Sequence, residues 1–176
     1  MTYYGAKELA EAFRTVRKNT IQIAEEIPED KYDFQPAPDT RSVRQLLLHL
    51  TLVDRLPRTI HGERRTTLEG IDFPAFLREV MTEEQAPRSK EEILTLLRSN
   101  GESFAAFLEG MSDESLAEHV AMRPGMGPAQ KTRFEMLMGV KEHEMHHRGQ
   151  LMLIERLLGI TPHLTRVMRE RLGARR

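Results

Sequence analysis

The chain has 176 residues, of which 39% are hydrophobic and 30% charged, with a net charge of -1 and no cysteine. That length fits one domain, residues 1–176, with room for a sizeable core, and the composition is that of a globular rather than a disordered chain. The near-zero charge argues against broad capture of nucleic acid, the absent cysteine means any thiol must come from a substrate or cofactor, and no run approaches the roughly 18 apolar residues of a membrane span.

The first eight residues, Met1 to Glu8, lack the apolar stretch of a signal peptide, so the cytoplasm is the expected location. A first helix is predicted from about Ala6 to Ile27, because Leu9, Phe13, Val16, Thr20, Ile23 and Ile27 follow the 3-4 spacing of a bundle helix. Pro28 closes it. A second helix opens at Ser42, with Gln45 completing a capping box, and carries Leu46, His49, Val53, Leu56 and Ile60 on one stripe. Pro57 should kink or end it. A long crossover follows from Gly62 to Pro87, with a short helix starting at Asp72-Phe73-Pro74 and running to about Met81.

A third helix begins at Ser89, capped by Glu92, and presents Ile93, Leu97, Phe104 and Phe107 before Gly110. One short helical piece is expected from Ser112 to Val120, and Arg123 to Pro128 reads as a rigid loop. The fourth helix opens with the Thr132/Glu135 capping box and runs to Leu158, with Gly159 as its C′ residue. Thr161-Pro162 then starts a short last helix ending near Gly173. No alternating strand pattern is visible. The expected fold is all-α: a four-helix bundle with a long crossover between helices two and three and a short extra C-terminal helix.

The fourth helix contains His143-Glu144-Met145-His146-His147-Arg148-Gly149-Gln150. His143 and His147 are four apart, about 40° around a helix and one turn above the other. The same face carries Met136, Val140, Leu151, Ile154 and Leu158. Two imidazoles in an apolar stripe cost desolvation energy unless their nitrogens are used, and a divalent metal is the usual user. A catalytic metal commonly takes three protein ligands. His49, inward on the second helix, is the candidate third. His146 lies about 60° off the stripe and is read as solvated or supporting, not as a ligand. His61, His119 and His163 carry no signal above that of surface histidines. The segment also satisfies the zinc-protease pattern H-E-x-x-H, but no strands are seen that could hold a peptide beside it.

The segments Ile27 to Pro38, Arg41 to Leu50 and His143 to Gln150 together resemble the DinB/YfiT-like family of metal-binding four-helix bundles, over most of the chain. The resemblance implies a metal triad at His49, His143 and His147. For a reaction it implies thiol transfer using a low-molecular-weight thiol, or isomerisation, and it specifies the site more closely than the reaction.

Three neutral imidazoles leave a dication its full charge, which suits activation of water or of a thiol. Zinc or nickel is expected, with iron or manganese less favoured. The function expected is a metal-dependent thiol S-transferase or hydrolase acting on a small molecule, with a non-enzymatic stress-related metal-binding protein as the alternative. Gln150 is read as orienting a ligand or bound water, and Glu144 as a weaker general-base candidate. The crossover and the 123–128 loop should wall the pocket. The short basic runs, Arg64-Arg65 and Arg169 to Arg176, read as solvated charge, so no nucleic-acid or membrane partner is expected. Phe134, Met138, Met145 and Met152 fall opposite the histidines, which predicts a homodimer through the fourth helix unless the C-terminal helix covers them.

Overall fold

A computed structural model of the chain describes residues 4–125 and 127–173. Helix α1 spans Ala6–Glu26 and turns its 3-4 stripe inward, with Leu9, Phe13 and Ile23 fully buried. Pro28 follows it, and a 3-10 turn at Glu29–Lys31 delivers Tyr32 to the core, where its hydroxyl donates to the Ala24 carbonyl at 2.7 Å. Helix α2 spans Val43–Leu52 and is capped by Ser42 and Gln45 as predicted.

The interruption falls at Val53-Asp54, and α3 resumes over Arg55–Gly62 with Pro57 in its first turn. Proline has no N–H to give the carbonyl four residues back, so the ladder of α2 ends where Pro57 would have extended it. Helix α4, Phe73–Glu83, is the crossover helix, and Asp72 caps it by accepting from the Ala75 N–H at 2.8 Å. Helix α5 spans Lys90–Glu109 behind its Ser89/Glu92 capping box.

The region after α5 differs from the expectation of one helical piece. Helix α6 covers only Asp113–Ala117, and the chain then forms strand β1, His119–Ala121, paired antiparallel with β2, Gln130–Thr132. Three residues per strand are too few to print an alternating pattern. The hairpin is held by its surroundings: Val120 is fully buried, and the Leu68 N–H donates to the Ala121 carbonyl at 3.0 Å. Helix α7, Arg133–Leu157, is the longest, and α8 spans His163–Arg171. Gly159 between them has φ +79°, the left-handed turn that glycine takes without a steric penalty.

Helices α1 and α2 each pack against both α5 and α7, so the bundle order is α1–α5–α2–α7 and the first two long helices stand on a diagonal. Its core has two main parts, with a smaller third cluster of Ile60, Leu68, Ile71 and Val120 under the crossover. One gathers Leu9, Phe13, Phe104, Leu108 and Leu137; the other gathers Ile23, Leu46, Leu47, Leu97 and Leu151. Between them lies a buried ion pair. The Arg17 Nε donates to Glu144 Oε1 at 2.8 Å, Nη1 to the Leu97 carbonyl at 3.0 Å, and Nη2 to the Leu50 carbonyl at 2.9 Å. One guanidinium thus ties α1 to α7, α5 and α2. Gly101 makes room for it: a Cβ there would lie 2.7 Å from Arg17 Cγ.

Met138 and Phe134 pack against the first core part, Met152 packs against the second, and Met145 is 41% exposed. The stripe that predicts a dimer is thus partly covered by the chain's own packing, with Met145 left outward. Among the described residues no helix is long and apolar enough to cross a membrane.

Candidate metal centre

The diagonal order leaves α2 and α7 in contact, and their inward stripes bring three histidines together. The Nε2 atoms of His49 and His143 are 2.7 Å apart, and those of His143 and His147 are 3.0 Å apart. Ligand-capable atoms of all three lie within 4.8 Å of one another, and they form the only such group among the described residues. Nitrogens about 2.0–2.1 Å from one tetrahedral zinc would stand about 3.3 Å from each other, so a small adjustment opens this cluster to a dication. The donor set is chemically suited to one: three imidazoles with their nitrogens directed at a common point.

On His49 and His147 the other ring nitrogen is committed. His49 Nδ1 is 2.7 Å from Glu84 Oε1, and a carboxylate only accepts, so the proton sits on Nδ1 and the Nε2 lone pair faces the centre. Glu84 is itself fixed by Arg41, whose Nε donates to Oε2 at 2.8 Å. Burial alone would raise the Glu84 carboxyl; the hydrogen bonds from His49 and Arg41 together outweigh it and hold the group below its usual range. His147 Nδ1 is 2.8 Å from Gln150 Oε1, which orients that ring in the same way. Burial pushes His143 down to about 4, with the charge of neighbouring imidazoles adding to it. Burial likewise brings His147 to about 4, against the raising effect of its bond to Gln150. Both are neutral near pH 7, the form that offers a lone pair.

Glu84 was not legible in the sequence. It lies 35 residues from His49, at the C-terminal cap of the crossover helix, and only the docking of α4 brings it to the imidazole. Gln150 does meet the site: its amide oxygen holds the His147 ring, and its side chain also lines a cleft beside the centre. His146 stands beside it, with Nε2 3.2 Å from Gln150 Nε2, apart from the three converging nitrogens. Glu144 requires a correction. Its carboxylate is fully buried and both of its oxygens accept from Arg17, so it is committed to the core ion pair and is not free to act as general base. The same fact removes the zinc-protease reading, which needs that glutamate beside the metal.

Two clefts meet the centre. An apolar one of about 320 Å³ reaches His49 and His143 between α4, α7 and the α2–α3 break. A wider one of about 800 Å³ reaches His147 and Gln150, with Thr40, Arg41 and Gln85 on one wall and Leu153 and Leu157 on the other. The crossover helps to wall both, as expected. The described residues of 123–128 wall neither, and Met126 lies outside the described residues. Arg123 instead pins the crossover by donating to the carbonyls of Leu68 and Ile71.

A bundle with this histidine cluster invites comparison, and a model of the DinB family matches residues 1–174. The chain belongs to the DinB family. YjoA of Bacillus subtilis strain 168, an uncharacterized protein, is 25% identical over 156 residues, covering 89% of this chain and 92% of its own. The crystal structure of YjoA superposes with a TM-score of 0.64 over 88% of this chain and 93% of that one. YfiT of Bacillus subtilis, described as a probable metal-dependent hydrolase with an unusual four-helix bundle topology, has TM-score 0.69 at 17% identity, over 92% of this chain and 91% of its own. The colibactin self-resistance protein ClbS, solved with double-stranded DNA, has TM-score 0.64 at 17% identity, over 89% and 98%. At these identities the solved structures establish the fold. Within the DinB fold, the α2 and α7 histidines and their supports are this chain's own evidence for a metal.

Proposed function

We propose that this DinB-family protein is a metal-dependent enzyme that activates a thiol or a water against a small molecule, as a thiol S-transferase or a hydrolase. The observation that carries this reading is the convergence of three imidazoles with no fourth protein ligand among the described residues, beside two clefts that give access to the centre. A structural zinc is usually enclosed by four protein ligands, so the three-ligand set favours an open site over the purely structural alternative. When bound, a dication would lower the pKa of a water or thiol coordinated to it.

The chain's own residues supply the frame. Glu84 and Gln150 hold the His49 and His147 rings by their Nδ1 protons, and Arg41 keeps Glu84 ionised. With no cysteine in the chain, a transferase would take its thiol from a low-molecular-weight co-substrate. The likeness of YfiT, described as a probable metal-dependent hydrolase, supports the hydrolytic branch of the reading. Zinc and nickel both suit the imidazole set, with iron and manganese behind them.

ClbS raises the question of DNA. Here the paired arginines of the crossover are engaged, Arg64 with Glu118 and Arg65 with Glu63, both at 2.8 Å, and we infer a small-molecule substrate rather than nucleic acid. The test is elemental analysis of untagged protein, followed by assay with water alone and with a panel of low-molecular-weight thiols. One dication per chain is expected. Replacing His49 and His143 together with Ala should abolish it, and His146→Ala should leave it nearly unchanged. Stoichiometric metal in the double variant, or a cobalt-substituted spectrum insensitive to added thiol and azide, would overturn the reading.

A further inference from the structure

The two clefts beside the histidines differ in kind. In the cleft of about 320 Å³, every wall residue other than His49 and His143 is apolar. Leu52 and Leu56 come from the α2–α3 break, Phe76 and Val80 from α4, and Met136 and Gly139 from α7. An apolar cavity of about 150 Å³ accepts a benzene ring, so this volume suits a bicyclic group or a chain of roughly six to eight carbons. It also falls at the lower end of the range for ligand sites, far below what a protein partner would need.

Gly139 is informative. It sits inside α7, in its second turn, where glycine weakens a helix, and a Cβ placed on it would meet nothing within 4 Å. No packing constraint within the chain demands glycine there. The consequence of its missing side chain is open volume in the cleft, one turn of helix from His143.

We propose that this cleft seats the apolar alkyl or aryl body of the substrate, with the reacting group held beside His49 and His143. This rests on the metal-dependent reading for the reacting end, and on the cleft alone for the apolar end. Substrate bodies of this class gain from burial at about fourfold in affinity per methylene. Gly139 is then a specificity-determining position, because any side chain there takes volume from the ligand.

The test uses full-length protein as purified, labelled at its methionine methyl groups, with the Met136 resonance assigned by a Met136→Leu variant. Titration with 1-butanol, 1-hexanol and 1-octanol should shift Met136 saturably and leave the exposed Met145 unmoved, with affinity rising about fourfold per methylene until the cleft is full. Gly139→Leu should weaken hexanol at least tenfold. Gly139→Ala, which favours the helix, should give a smaller loss and keeps the test open if the leucine variant does not fold. An unmoved Met136, or undiminished binding in the Gly139 variants that fold, overturns the proposal. On cobalt-substituted protein, octanohydroxamate should bind at least tenfold more tightly than acetohydroxamate, and that gain should vanish in the Gly139 variant. Equal binding of the two would reject the cleft while leaving the metal reading standing. Failure to bind cobalt would reject the metal reading, while the alcohol titration still reads the cleft.

Discussion

Three imidazoles with converging nitrogens, one buried, one half-buried and one exposed, do not hold that arrangement without support, and the supporting residues give the sharpest tests. Glu84 accepts from His49 Nδ1 and is tied to Arg41. Glu84→Gln would leave His49 with a neutral partner, and a loss of about 10- to 100-fold in metal affinity is expected, measured by chelator competition. Glu155 offers a second test away from the site. Both of its carboxylate oxygens are buried without a hydrogen-bond partner, and burial, followed by the charge of Glu26, raises its pKa from 4.5 to about 7. The folded state then binds the extra proton, so stability is greatest below the unfolded pKa and falls as pH rises from about 4.5 through about 7. Up to about 3 kcal/mol is at stake. Glu155→Gln should raise the melting temperature at pH 8 and change it little at pH 4. An equal gain at both pH values would show that the carboxyl is not the strained group.

Among the elements, α7 carries most of the function and some of the weakness. It holds two glycines within its span, Gly139 and Gly149, and open space surrounds both. Gly149→Ala should stabilise the fold by about 0.5–1 kcal/mol in denaturant unfolding, since it removes backbone freedom from the unfolded chain and meets no neighbour. The opposite is expected at Glu144. Its charge answers Arg17 in the layer between the two halves of the core, both side chains at 5% exposure or less. Glu144→Gln would leave that guanidinium uncompensated and should cost about 3–5 kcal/mol, read by the same unfolding. Metal content of the folded variant should be unchanged, because the carboxylate is engaged by Arg17 and contributes no atom to the histidine group.

At the scale of the molecule, the bundle order places α2 beside α7, and that contact assembles the centre. The docked crossover adds Glu84 and walls for both clefts, so loss of α4 docking should weaken metal binding without unfolding the bundle. The methionine stripe predicts association only if it stays outward. Phe134, Met138 and Met152 are packed within the chain and Met145 stands nearly alone, so Met145→Glu is expected to leave the sedimentation coefficient unchanged.

The sequence by itself determined the helices and their caps, since Ser42/Gln45, Ser89/Glu92 and Thr132/Glu135 act within four residues and the stripes repeat locally. It also named the three histidines, because an imidazole in an apolar stripe is anomalous at any level of structure. Only the tertiary structure decided the uses of Glu84, Glu144 and Gly139. A carboxylate on a helix reads alike whether it faces solvent, a histidine from another helix or a buried arginine. Likewise a glycine reads alike over a packed neighbour or over an open cleft. The β1–β2 hairpin belongs with these: its strands are shorter than the period that would reveal them, and it forms because the crossover supplies a partner for Ala121 and the interior takes Val120.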